Sequence, residues 1–233
     1  MSDQYIWLLW SSTLVAAWLL LYGLFPAQRA IMLRMALITA PLGLTEPLFV
    51  PEYWSPPSLF DLARRTGFDI ESLLFCFGIG GVSAVLYPLV SGRSVTGVAP
   101  AERGRRRHRY HRLALAAPYF SFPLLWLLPW NPIYAGAGAL IVGAIATMLC
   151  RPDLRRVTWI GGLLFLGYYI PFTLVIELAV PGYIHRVWTL DALSGLFIAG
   201  IPVEEYLFAI TFGMYWAGVY EHFAWLRFTP ARR

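Results

Sequence analysis

Ile201-Pro202-Val203-Glu204-Glu205-Tyr206-Leu207-Phe208 sets two adjacent carboxylates inside an otherwise apolar run that extends from Leu193 to Tyr220. A run of that length is long enough to cross a bilayer as a helix. An ionised carboxylate at the centre of such a helix costs about 2–4 kcal/mol. One use for such acids is structural, as a buried pair that holds helices together. The other is proton chemistry or ion handling inside the membrane, and this second use is the stronger reading.

The same pattern occurs earlier in the chain. Asp69-Ile70-Glu71-Ser72-Leu73-Leu74-Phe75 aligns without a gap on Pro202 to Phe208, and the match continues to Tyr87 against Tyr220. Upstream, Glu46, Pro51, Tyr53 and Asp61 fall against Glu177, Pro181, Tyr183 and Asp191. Several polar or special residues in order at one nearly constant offset argue for an internal duplication.

Composition sets the class. Of 233 residues, 58% are hydrophobic and only 13% are charged, and the mean hydropathy is +0.61. A soluble domain is less apolar and about twice as charged. Seven apolar runs follow, at about 5–25, 30–50, 68–90, 113–129, 131–150, 157–180 and 193–220. The Pro129-Trp130-Asn131-Pro132 turn separates the fourth from the fifth. Tyr5, Trp7, Trp54, Trp126, Trp130, Tyr220 and Trp225 lie near run ends and read as an interfacial belt. The start of the chain has Asp3, no basic residue before its apolar run and no small-residue cleavage site, so it reads as a retained helix.

The expected fold is therefore an all-α integral membrane protein of seven transmembrane helices. Two parallel three-helix repeats are joined by a linker helix, in a 3+1+3 order. The segments are 1–90, a first repeat; 91–130, a basic loop and the linker; 131–222, a second repeat; and 223–233, a tail. Every basic side chain among Lys and Arg is arginine. Fifteen arginines fall on one predicted side, in the first turn, the 91–112 loop, the 151–156 turn and the tail, against Arg64, Arg65 and Arg186 on the other. That asymmetry places the N-terminus outside and the C-terminus in the cytoplasm. It also accounts for the basic loop without nucleic acid.

Helix periodicity sorts the acids. Glu205 shares a face with Ala209, Gly213 and Ala217, a small-residue seam for close helix packing. Its counterpart in the first repeat is Ser72, Cys76, Gly80 and Ala84. Glu204 stands about 100° round, with Phe208 and Phe212, and its counterpart Glu71 stands with Phe75 and Ile79. Burial among aromatic rings favours the neutral acid over the carboxylate, which suits a proton donor. An aromatic face also stabilises a nearby cation. Glu204 is accordingly expected to transfer the proton and Glu205 to orient the site. Glu46 and Glu177, each preceded by a proline (Pro41, Pro171), are expected on the same side of the bilayer. The prolines predict kinks.

Other classes are excluded or weakened. A retinal Schiff base needs a lysine, and the chain has none. Gly78-Ile79-Gly80-Gly81 lies mid-helix with no strand before it, so it is no dinucleotide loop. No motif indicates a reduced flavin or a nicotinamide. Asp61, Asp69 and Asp191 form no paired motif for magnesium diphosphate. His108, His111, His185 and His222 do not pair with acids at metal-ligand spacing, so they read as surface or interface residues and no metal is expected. Cys76 and Cys150 read as packing residues. A transporter with parallel 3+1+3 repeats is the alternative from another class. Against it, the sole Asn is Asn131, in a turn, and Gln4 and Gln28 lie outside the core runs.

The repeat, the helix count and Pro202-x-Glu204-Glu205-x-x-Phe208 together resemble the membrane-type lycopene cyclases, in their fused single-chain form. The first repeat departs from that motif, with Asp69-x-Glu71-Ser72 lacking the proline and the second acid. The resemblance implies acid-catalysed ring closure at the ends of a linear polyene, with no net redox change and no cofactor required by the chemistry. It implies Glu204, Glu205, Glu71, Glu46 and Glu177 as catalytic candidates. Phe208, Phe75, Phe212, Tyr206, Trp188 and Tyr53 become candidates for binding lycopene. It further implies a bacterial or archaeal cell membrane and contact with other enzymes of the carotenoid pathway. A hydratase, in which water captures the cation, is the variant within the same chemistry.

Overall fold

The computed structural model describes residues 3–230, so Arg232 and Arg233 of the tail lie outside the described residues. The chain is predominantly helical. Its longer helices are α1 (Ile6–Leu24), α2 (Arg29–Thr39), α3 (Ile70–Ser91), α4 (His111–Trp126), α5 (Pro132–Cys150), α6 (Arg155–Ala179) and α7 (Val203–Trp216). Among the described residues, five segments are long and apolar enough to cross a membrane: Ile6–Leu24, Pro26–Leu48, Ile70–Ser91, Pro132–Cys150 and Pro152–Ala179. α4 has 16 residues and α7 has 14, short of the ~20 that span the apolar core.

Two apolar runs fold differently from a single α-helix, for local reasons. The run at 30–50 turns into a 3-10 helix over Ala40–Leu48. Pro41 and Pro47 lack the N–H that an α-helical ladder requires. The run at 193–220 is helical only from Val203. Before it lie a 3-10 turn at Leu190–Ala192 and a two-stranded ladder, β2 (Phe197–Ile198) on β3 (Ile201–Pro202). Gly195 and Gly200, at φ 73° and 79°, sit in the left-handed region that glycine adopts without strain. Pro171, by contrast, lies inside α6 without ending it. A second ladder pairs β1 (Ser94–Gly97) with β4 (Leu226–Thr229), where the sequence suggested only a basic loop and a tail.

Contacts divide the chain into two compact units. The first comprises Met1–Val82, Asn131–Ile133 and Pro171–Glu205. It holds α1 and α2 whole, and Trp7, Trp10, Leu14 and Trp18 form one buried face of α1. Trp7 is thus a packed residue and not part of an interfacial belt. The second comprises Ser83–Trp130, Tyr134–Ile170 and Tyr206–Arg233. Its apolar centre includes Tyr87, Leu154, Val157 and Ala217. Arg151 is buried there, bonded to Asp153 Oδ1 and Oδ2 at 2.9 and 2.6 Å and to the Glu221 and Leu226 carbonyls.

Glycines set the helix approaches within each unit. In the first, a Cβ on Gly43 would stand 2.6 Å from the Ser72 carbonyl carbon, and one on Gly80 would run into the Thr39 side chain. In the second, a Cβ on Gly213 would stand 2.6 Å from the Gly161 carbonyl oxygen, and one on Gly161 would run into Ala217. The seam expected of Gly80, Gly213 and Ala217 is therefore present. Because backbone cannot yield to a methyl group, Gly43→Ala and Gly213→Ala should each destabilise the protein by about 1–3 kcal/mol. Gly23→Ala in α1, with nothing within 4 Å of the new atom, should hold or gain a few tenths of a kcal/mol, from helix propensity. Thermal unfolding in detergent compares the three.

Candidate active site

All five glutamates singled out by the sequence belong to the first unit, and what each touches separates their roles. Glu71 and Glu204 are the second residues of α3 and α7. Each reaches back to the loop before its helix. Glu71 Oε1 accepts the Leu59 N–H at 2.6 Å, and Glu204 Oε1 accepts the Ser194 N–H at 2.9 Å. Both side chains are fully buried, at 0% exposure. An acid in the first turn also suits the positive end of the helix dipole. Asp69 Oδ1 accepts the Ser72 N–H at 2.5 Å, as an N-cap does. Glu177, half-buried, closes the turn after α6, with Oε1 on Gly182 N–H at 2.7 Å and Oε2 on Ile184 N–H at 2.9 Å.

Glu205 and Glu46 are placed otherwise. Glu205 Oε1 accepts hydrogen bonds from the Tyr53 hydroxyl and from Trp188 Nε1, the latter at 2.8 Å. Both donors are held by backbone pairing. The Trp54–Trp188 bridge is flanked by Ser55 N–H on Val187 O at 2.8 Å and Thr189 N–H on Tyr53 O at 2.9 Å. Asn131 Nδ2 secures the same strand-like segment by donating to Glu52 O at 2.7 Å. Glu46 is buried beside Asp69, Ser72 and Trp54. Its Oε1 has no hydrogen-bond partner among the described residues.

The aromatic rings form a row. Tyr183 meets Trp188 at 6.3 Å between centroids, Trp188 meets Trp54 at 5.4 Å, and Trp54 meets Trp7 at 4.6 Å, edge to face. Trp7 meets Phe75 at 5.5 Å, Phe75 meets Phe172 at 6.5 Å, and Phe172 meets Trp10 at 5.9 Å. Trp10 Nε1 donates to Phe172 O at 3.0 Å, which fixes that end. Of the expected binding residues, Phe75, Trp188 and Tyr53 thus lie in this row or against its carboxylate. Phe208, Phe212 and Tyr206 belong to the second unit. There Phe208 meets Tyr169 at 5.5 Å and Phe212 meets Phe165 at 4.9 Å. Tyr206 is half-buried.

The adjacent acids differ in what they touch: Glu204 accepts from a loop amide, and Glu205 from a tyrosine hydroxyl and an indole N–H. The apolar run begins at Leu193. With the helix starting at Val203, the residues before it fold into a loop, and Glu204 takes up that loop's amide. Sequence reasoning placed Trp7 and Trp54 only in an interfacial belt and did not single out Trp10 and Phe172. The i, i+3, i+7, i+11 spacing of Trp7, Trp10, Leu14 and Trp18 was the available signal, since it marks one helix face. The histidines differ from expectation too: His108 and His222 are buried and not at a surface. Burial, with like charges from His111 and Arg151, lowers the His222 pKa to about 3.

The family model described as lycopene cyclase matches residues 131–223 of the chain. The family is one of enzymes acting on a carotenoid. The matched segment coincides to within a residue with the stretch set off as the second repeat. No curated protein and no solved structure matches.

If Glu71 and Glu204 serve as loop anchors, truncation leaves the part-buried Leu59 or Ser194 N–H without its acceptor, at a cost of about 0.5–1.5 kcal/mol for the lost hydrogen bond. Glu71→Ala and Glu204→Ala should each lower the unfolding midpoint by that equivalent. Glu71→Gln and Glu204→Gln should lower it less, because the amide oxygen still accepts. Unfolding in detergent, followed by circular dichroism, measures the difference.

Proposed function

We propose that the chain closes the end groups of lycopene, or of a closely related linear carotene, into β-ionone-type rings. The lycopene cyclase match gives the substrate class. The observation that carries the chemistry is Glu205, held by Tyr53 and Trp188 against a row of aromatic rings. A hydrocarbon polyene offers no polar handle, so the site needs an acid, a base, cation-stabilising faces and exclusion of water.

In this reading one proton enters and one leaves. An acid protonates the terminal C=C and leaves a tertiary carbocation. The neighbouring double bond supplies the electron pair that forms the ring bond, which moves the positive charge into the ring. A base then removes a proton from an adjacent ring carbon. Composition and oxidation level are unchanged, so the steps draw on no electron carrier. Glu46 is assigned the acid role, since neighbouring carboxyl groups such as Glu46 and Asp69 share a proton. Glu205 is assigned the base role, since the Tyr53 hydroxyl and Trp188 Nε1 both donate to its Oε1 and hold it beside the Trp54–Trp188 pair. Both border the Trp54–Trp188 pair, whose faces stabilise the cation.

The seven-crossing 3+1+3 arrangement, with the N-terminus outside, belongs to the same proposal. Single cysteines placed by Pro100→Cys and Arg186→Cys, both at exposed positions, should be labelled from opposite sides of the membrane. Labelling from one side would overturn the topology.

Expression in a lycopene-accumulating bacterium, with pigment analysis, tests the activity. Per amount of folded protein, Glu205→Gln and Glu46→Gln should cut cyclised product at least ~100-fold, the scale of lost acid–base catalysis. Glu204→Gln should retain readily measurable product. A near-normal rate in Glu205→Gln, with loss in Glu204→Gln, would return the proton to Glu204.

A further inference from the structure

The second unit gathers side chains that ring closure does not use. His108 ends a short 3-10 turn, Arg106–His108, His111 opens α4, and Cys150 closes α5. Their candidate ligand atoms all lie within 4.8 Å of one another. Cys150 Sγ stands 3.6 Å from His108 Nδ1 and 3.6 Å from His111 Nδ1. With Zn–N near 2.0–2.1 Å and Zn–S near 2.3 Å, a tetrahedral angle puts nitrogen and sulfur about 3.6 Å apart. A thiol has one hydrogen, so it cannot donate to both nitrogens as an S–H bond.

The surroundings hold the three in place. The His111 ring stacks on Trp225 at 3.8 Å and 13°. His222 packs edge-on against His111 at 4.6 Å, its Nδ1 3.2 Å from Thr147 Oγ1 and its buried Nε2 without a hydrogen-bond partner among the described residues. Arg151 fixes the turn after Cys150, and its charge is met by Asp153 at 2.6 Å. A cleft of about 350 Å³, lined by residues that include Arg107, Tyr110 and Cys150, gives a path to the sulfur.

We propose that His108, His111 and Cys150 bind a divalent transition-metal ion of the zinc class through two imidazole nitrogens and one thiolate. The imidazole and thiolate donors are those that such ions prefer over magnesium or calcium. Three protein ligands leave the fourth position to water or another donor. Binding releases the Cys150 proton to solvent. Ligation through Nδ1 puts the His108 proton on Nε2, which then no longer accepts from Arg107 Nε at 3.2 Å, and Arg107 retains its Glu102 ion pair at 2.7 Å. The site is independent of the ring-closure reading.

The full chain, purified in detergent and stripped with a chelator, should take up one Co²⁺ per chain. Binding should bring a thiolate-to-cobalt charge-transfer band and the intense visible absorption of a tetrahedral ion, and Zn²⁺ should displace both. Cys150→Ser should lose the charge-transfer band, His111→Asn should weaken cobalt binding at least tenfold, and Cys76→Ser should change neither. Absence of the band in the unmodified chain overturns the proposal, and that result needs no variant to fold. A band of undiminished strength in Cys150→Ser, or its loss in Cys76→Ser, also overturns it.

Discussion

Carboxyl groups held among apolar side chains are the constraint on which the first unit is built. Each such group needs hydrogen-bond donors, because an unmet one costs more than most single contacts contribute. The chain meets this need by starting helices next to its acids. α3 begins at Ile70 and α7 at Val203, so Glu71 and Glu204 face the loops that lead into them. The loops in turn gain a fixed path from the carboxylates. The anchoring is mutual: the loop amides give the buried acids donors, and the acids give the loop amides acceptors.

Glu205, one residue on, takes donors from side chains. Tyr53 and Trp188 come from two segments that pair through the Trp54–Trp188 bridge. The separation between Glu204 and Glu205 is a matter of one residue, or about 100° of helix. One rotation points to a backbone amide, and the next to a tyrosine hydroxyl and an indole N–H. The aromatic row beyond them is apolar enough to suit a hydrocarbon, and its ring faces are suited to a transient positive charge.

The second unit shows a different economy. A buried arginine is tolerable only when paired and fully bonded. Arg151 meets that condition through Asp153 and two carbonyls, and in doing so draws the 221–226 segment onto the turn after Cys150. Trp225 and His222 arrive with that segment and complete the surroundings of His111. The guanidinium thereby helps bring His222 beside the residues at 108, 111 and 150.

The sequence by itself determined the class and the actors. Low charge and long apolar runs require helices, because only helices and closed barrels satisfy backbone groups without water. The Glu-rich positions, the small-residue seam at Gly80, Gly213 and Ala217, and Pro202-x-Glu204-Glu205-x-x-Phe208 were legible because period and spacing encode local faces. Tertiary structure decided what each acid touches. Glycines at 195 and 200 turn the chain before Val203, and that turn presents the Ser194 amide to Glu204. It also decided that Trp7, Trp10, Trp54 and Phe172 form one row, and that His108, His111 and Cys150 converge. Such meetings depend on long-range packing between segments dozens of residues apart, which no periodicity within a segment records.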